Sequence, residues 1–258
     1  MKLQNKIAVV TGGGRGIGKE IALALAREGA DVLVSGRQKD VLEQTVSEIE
    51  NLGRRAMLTV TDVSNESQVN EMIDVATQTF GKVDILVNNA GIAGPTAPVI
   101  NLNRDDWDNV MAVNLTGAFL CARAVIPQMI ERRAGKIINI SSVAGKMAYA
   151  LRSPYAASKW GMLGLSASLA QELGSYNIQV NAICPGPTAG DRMEAVISGR
   201  AREMGVPYEE VEKTYVAGTA LKRMVDPKHV ASAVVFFCSD EGNSITGEAL
   251  EISAGYAL

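Results

Sequence analysis

Histidine is almost missing: His229 is the single one in 258 residues. With no Cys-x-x-Cys pair either, a zinc site or a histidine-dependent triad has almost no raw material, and no metal site is expected. The three cysteines, Cys121, Cys184 and Cys238, are odd in number, scattered and set within apolar runs. They are expected as reduced core thiols of a cytoplasmic protein rather than a disulfide framework. Blocks of like charge are missing too, and the net charge is only -3. Neither a nucleic acid nor a membrane surface is an expected partner. The start Met1-Lys-Leu-Gln leads directly into an apolar strand, which predicts no signal peptide. No apolar run approaches the ~20 residues that span a bilayer.

What is present is alternation. Short β-branched runs at Lys6–Thr11, Asp31–Ser35, Arg55–Val60, Val83–Asn88, Lys136–Ser141 and Ile178–Ile183 read as strands. Between them lie helix-period segments at Gly16–Glu28, Lys39–Leu52, Glu66–Phe80, Trp107–Arg133 and Ser153–Gly174. Gly29 is placed to close the first helix. Strands that are apolar on both faces and alternate with helices predict a parallel sheet covered on both sides. No repeat, low-complexity tract or linker interrupts the rhythm, so residues 1–258 are expected to form one α/β domain.

The first strand meets the first helix through Thr11-Gly12-Gly13-Gly14-Arg15-Gly16-Ile17-Gly18. Glycines there let backbone approach a pyrophosphate, and a helix N-terminus supplies donors and positive potential. A tight turn without a ligand has the same composition; the strand-to-helix context favours a dinucleotide. The second strand ends in Ser35-Gly36-Arg37-Gln38, with no carboxylate for ribose hydroxyls. Arg37, helped by Arg15, suits a 2′-phosphate, which favours NADP(H) while leaving NAD(H) possible. Tyr155 and Lys159 are four apart in the last long helix and therefore share a face. A free phenol titrates near ~10, and a cation held beside it favours the phenolate. A packed aromatic and a solvated charge would share that spacing.

In order along the chain stand Thr11-Gly-x-x-x-Gly-x-Gly18, Asp62-Val63, Asn88-Asn-Ala-Gly91, Asn114, Ser142, Tyr155-x-x-x-Lys159 and Pro185-Gly186. Together they resemble the short-chain dehydrogenase/reductase family, in its single-domain branch, over nearly the whole chain. The resemblance implies a Rossmann-type, doubly wound parallel sheet of about seven strands with a nicotinamide dinucleotide over its carboxyl edge. It assigns Gly12, Arg15, Gly16, Ile17 and Gly18 to the phosphate turn, and Asp62 and Val63 to the adenine. Asp62 could instead cap the helix that starts near Ser64. Asn89, Ala90 and Gly91 would line the cofactor, and Asn88 would stabilise the sheet.

Asn114 lies within a helix, where a buried amide needs partners. Plain packing or a water relay to the lysine could supply them, and the resemblance favours the relay. By register with the family pattern, Ser142 rather than Ser141 is the catalytic serine. Tyr155 is implied as the acid of ketone reduction and the base of alcohol oxidation, and Lys159 as the group that also binds the nicotinamide ribose. Pro185 and Gly186 would shape the nicotinamide pocket. The family's usual Thr or Ser is replaced by Gly190, which leaves Thr188 as the nearest hydroxyl. Residues 189–220, with two short helices around Pro207, correspond to a lid expected to be less ordered without ligand. The tail reads Ser253-Ala254-Gly255 in place of the family's Asp-Gly-Gly, at an end that often meets another subunit. The implied activity is hydride transfer between a nicotinamide and a small ketone or secondary alcohol, with 3-oxoacyl thioesters and sugars or polyols both open. A homo-oligomer, dimer or tetramer, is expected. The rival is a non-catalytic dinucleotide-binding regulator on the same fold. An epimerase or dehydratase is disfavoured because those chains usually add a sugar-nucleotide domain.

Overall fold

The computed structural model describes residues 1–256. Seven strands are present: β1 (Ile7–Thr11), β2 (Asp31–Gly36), β3 (Ala56–Val60), β4 (Ile85–Asn88), β5 (Gly135–Ile140), β6 (Ile178–Pro185) and β7 (Ala249–Ile252). They form one sheet in the order β3-β2-β1-β4-β5-β6-β7, every pair parallel. The helices are α1 (Gly16–Arg27), α2 (Lys39–Asn51), α3 (Glu66–Phe80), α4 (Arg104–Met111), α5 (Gly117–Arg132), α6 (Ser153–Leu173), α7 (Asp191–Met204), α8 (Tyr208–Ala217) and α9 (Pro227–Cys238). This is the doubly wound Rossmann-type domain expected.

Strand side chains alternate between the two faces, and both faces are dry. Ala8, Val10, Val34 and Ile138 pack with Ile21 and Leu25 of α1 and Val230, Val234 and Phe237 of α9. Val9, Leu33, Leu86 and Ile137 face the other way, onto Met72 of α3, Cys121, Val125 and Met129 of α5 and Leu173 of α6. β1 lies between β2 and β4. The chain therefore reverses its direction of travel across the sheet beside β1, and a crevice opens over the carboxyl ends of β1 and β4.

Several boundaries differ from expectation for identifiable reasons. The helix expected over Trp107–Arg133 begins at Arg104, because the Asn103 side chain caps it by accepting from the Asp106 N–H at 2.7 Å. Its middle, Ala112–Thr116, is a π-helical turn between α4 and α5. This segment, Arg104–Arg132, is long and apolar enough to cross a membrane by length and composition, but nearly half of its apolar stretch is buried in the protein. Helix α9 has no counterpart among the expected elements, although Asp226 caps it and Pro227 opens it. The α3 cap is Asn65, which accepts from the Gln68 N–H; Asp62 instead accepts from both the N–H and the hydroxyl of Ser64. The alternative of Asp62 as a helix cap is thereby corrected. Gly29 follows the end of α1 with φ +99°, the left-handed closure expected of it. All three cysteines are buried and free, and burial pushes the Cys121 and Cys238 thiols up to about 12.

Candidate active site

The crevice floor is the glycine turn. Gly12 has φ +66°, and a Cβ there would lie 2.9 Å from the Asn89 side chain. A Cβ on Gly18 would fall 2.2 Å from the Gly12 carbonyl oxygen, so only glycine lets the turn fold back on α1. Gly16, at φ +53°, meets nothing within 4 Å and leaves open space above. Arg15 stands at the N-cap of α1 without a side-chain cap, so the first N–H groups of the helix point into that space unpaired by a side chain. Ile17 packs partly against the core beneath. Uncapped donors, a positive helix end and a cradle that any Cβ would obstruct fit the pyrophosphate of a dinucleotide.

Strand β4 is tied to this turn. The Thr11 hydroxyl accepts from the Asn89 and Ala90 N–H groups, each at 3.0 Å. The Asn89 amide donates to the carbonyls of Thr11 (2.9 Å) and Gly12 (3.1 Å). Thr11 was visible only as the residue before the glycines; its hydroxyl couples the two strand ends. One strand further on, Asn88 donates to Asn139 at 2.9 Å, and Asn139 donates to Ser166 of α6 at 2.8 Å. Asn88 thus braces the sheet, as expected.

At the end of β2, Arg37 is exposed, as is Arg15. Neither is among the residues that form ion pairs in the described chain. Asp62 follows β3 nearby; its bond from Ser64 holds its carboxyl below the usual range, with Arg37 a smaller contributor. Val63 is buried, its side chain packed against the start of α5, where a Cβ on Gly117 would meet it at 2.7 Å.

The carboxyl end of β5 and the start of α6 bring the remaining groups together. Lys159 is 3% exposed and donates from Nζ to the Ile140 carbonyl at 2.7 Å, two residues before Ser142. Burial, helped by the Arg192 guanidinium, pushes its ammonium down to about 7. Nζ lies 5.7 Å from the centre of the Tyr155 ring. Ser141 is committed elsewhere, its hydroxyl donating to the Lys159 carbonyl at 3.0 Å. Ser142 Oγ accepts from the Ala144 N–H at 3.2 Å, which leaves its own proton uncommitted. Asn114 sits in the π turn, fully buried, and supplies its own answer to the partner question. It accepts from the Ile92 N–H (2.7 Å) and donates to the Ile92 carbonyl (3.0 Å) and the Ser158 hydroxyl (3.1 Å). A Cβ on Gly91 would lie 3.1 Å from Asn114 Oδ1 and 3.9 Å from Lys159 Nζ, so these three share one wall.

Pro185 ends β6, and Gly186 runs so close to the tail that a Cβ would meet the Ser253 Cα at 2.7 Å. Ser253-Ala254-Gly255 therefore props this wall, with Ala254 held at φ +54° where a glycine would be unstrained. Gly190 has φ +125°, a conformation that a threonine rarely adopts. The Thr188 hydroxyl donates to the Gly186 carbonyl at 3.0 Å, within its own turn.

Helices α7 and α8 pack on each other around Met193, Ile197, Ala201, Val211 and Tyr215. Arg192 donates to the Gly91 carbonyl, bridging α7 and the β4 loop. The Tyr149 and Tyr215 hydroxyls share a bond of 2.8 Å. The motifs did not single out Arg152, the one charged residue between Lys146 and Lys159. It is 2% exposed, with its guanidinium 5.2 Å from the Tyr155 ring centre and 5.9 Å from that of Tyr149.

The pattern of a known family matches residues 6–201, described as short chain dehydrogenase. A 3-oxoacyl-(acyl-carrier-protein) reductase of Thermotoga maritima is 35% identical over 258 residues, covering all of both chains. Among solved structures, an NAD+-bound xylitol dehydrogenase superposes with a TM-score of 0.96 at 32% identity, covering 99% of this chain and 100% of that one. An actinorhodin polyketide ketoreductase variant with NADPH gives 0.94 at 33% identity, covering 98% and 97%. The fold, the glycine cradle and these relatives agree: the chain belongs to the short-chain dehydrogenase family of NAD(P)-dependent oxidoreductases, which move a hydride between a nicotinamide and a carbonyl or alcohol carbon.

Proposed function

We propose that the chain is an NADP(H)-preferring oxidoreductase of a small ketone or secondary alcohol, with Tyr155, Ser142 and Lys159 as its catalytic residues. Gly12, Arg15, Gly16, Ile17, Gly18, Arg37, Asp62, Val63, Asn89, Ala90, Gly91, Pro185, Gly186 and Thr188 form the binding surface for the dinucleotide. The observation that carries this reading is the Tyr155–Lys159 pair on α6, with Lys159 buried and anchored on Ile140 beside Ser142. When bound, the nicotinamide donates the hydride in reduction and accepts it in oxidation. Tyr155 passes a proton to the carbonyl oxygen, or removes one from the alcohol. The free Ser142 proton donates to the same oxygen and steadies its negative charge. Lys159 stabilises charge on the phenol oxygen and reaches the nicotinamide ribose. Asn114 is a positioning residue: its bonds to Ile92 and Ser158 fix the wall beside Gly91 and Lys159, where a water linking Lys159 to solvent would sit.

The preference for NADP(H) rests on Arg37 and Arg15, exposed at the crevice and free of ion pairs among the described residues. The relatives bind either cofactor, NAD+ in the xylitol dehydrogenase and NADPH in the ketoreductase. Residues 189–220 serve as the substrate lid. The protein works in the cytoplasm as a homo-oligomer. A non-catalytic regulator is not favoured, because every group needed for proton transfer is present. Ketone-dependent oxidation of NADPH by the purified protein tests the reading. Tyr155→Phe is expected to cut turnover about 100-fold or more while dinucleotide binding persists. Near-normal turnover in that variant would remove Tyr155 from its role.

A further inference from the structure

Three arginines gather around Tyr149, Tyr155 and Lys159. Arg152 is 2% exposed, yet its guanidinium makes one hydrogen bond, to the Ala93 carbonyl at 2.7 Å, and its Nε is buried without any partner. Arg200 approaches from α7, 5.7 Å from the centre of the Tyr149 ring that Arg152 also faces. Arg192 stands beside Lys159 and Gly91. None of these three arginines, nor Lys159, takes part in any of the nine ion pairs among the described residues.

An unpaired buried donor is costly; the other arginine with a buried unpaired Nε, Arg54, is neutralised by Asp31, whereas Arg152 has no carboxylate beside it among the described residues. The faces of Tyr149 and Tyr155 offset part of the burial of charge, but they accept no directed bond from Nε in its own plane. The missing partner must therefore come from outside the chain, must be an acceptor and is best an anion. A carboxylate matches the fork of a guanidinium in two parallel bonds. We propose that the substrate carries a carboxylate besides its reacting carbonyl or alcohol, and that Arg152 is the specificity residue that pairs with it. This rests on the hydride-transfer reading above and names the class of substrate it acts on: an oxo acid or hydroxy acid. Held by Arg152 beneath the Tyr155 ring, the acid end fixes which carbon of the substrate lies under Tyr155 and Ser142.

The test compares kcat/KM for 2-, 3- and 4-oxo carboxylates with that for their methyl esters, using one cofactor throughout. Any contact between these arginines and the dinucleotide then affects both members of a pair alike. Wild-type protein is expected to favour the better acids over their esters by about 10- to 100-fold, the usual strength of a buried charge-assisted bond. Arg152→Gln should bring that ratio close to one, chiefly through a higher KM for the acids, and Arg152→Lys should restore part of it. Should the Arg152 variants fail to fold, as judged by circular dichroism and thermal melting, the wild-type ratio decides alone. Esters or neutral ketones reduced as well as the acids would overturn the carboxylate assignment and leave the role of Tyr155 standing. No turnover of any acid, ester or neutral ketone would overturn both.

Discussion

Two residues define what the site demands of its environment. Arg37 is exposed at the end of β2, so the pairing with a 2′-phosphate proposed for it would be screened by solvent and modest in strength. Arg37→Ala is expected to weaken NADP(H) binding roughly 10-fold relative to NAD(H), read as the ratio of dissociation constants; an unchanged ratio would count against the 2′-phosphate role. Lys159 is the opposite case, a cation with its charge pressed out by burial, its value lowered from 10.5 to about 7. Between those two values the unfolded chain holds a proton here that the folded chain has released. Stability from this group therefore rises as pH climbs from about 7 towards 10.5. Thermal melts of the ligand-free protein across that window should show this rise for wild type relative to Lys159→Met. Parallel curves for the two proteins would refute it. Bound anions near Lys159 oppose the same effect, since they favour its charged form.

At the scale of elements, the sequence was informative wherever a local rule acts alone. The strands of a two-sided sheet are continuous apolar runs, so β1, β2 and β6 are legible, and the helical period marks α1, α3 and α6 within a residue or two. The π turn at Ala112–Thr116 was not legible. One wider turn shifts hydrogen bonds without leaving the pattern of a helix, and its cause lies in what Asn114 must reach, Ile92 and Ser158. Helix α9 was not anticipated, although Asp226-Pro227 is a start signal, because it follows a stretch where alternation lapses, and its packing on α1 gives it a place. The closeness of Tyr155 and Lys159 was legible because spacing on one helix fixes it. Arg152 was not, since a lone charge in a loop is ordinarily solvated; its burial is created by Tyr149, Tyr155 and Ala93 meeting from three separate segments.

The whole molecule leaves a hydrophobic surface uncovered. Helices α4, α5 and α6 lie against one another and expose Trp107, Phe119 and Trp160, the last at 52%. Large aromatics on adjacent helices are a common mark of a subunit contact. Sedimentation is expected to give a dimer or tetramer, and Trp160→Glu should shift it to smaller species, because a desolvated carboxylate has no partner there. An unaltered assembly would place the contact elsewhere. The packing of α9 on α1 also reaches back to the birth of the chain. Ile21 and Leu25 of α1, which pack with the sheet, are also covered by Val230, Val234 and Phe237, which lie near the opposite end of the polypeptide. At ribosomal speed that cover arrives roughly ten to forty seconds after α1 has been made. Until then the phosphate turn rests on a helix with one bare side, so the cradle that holds the dinucleotide is among the last parts of a nascent chain to become rigid.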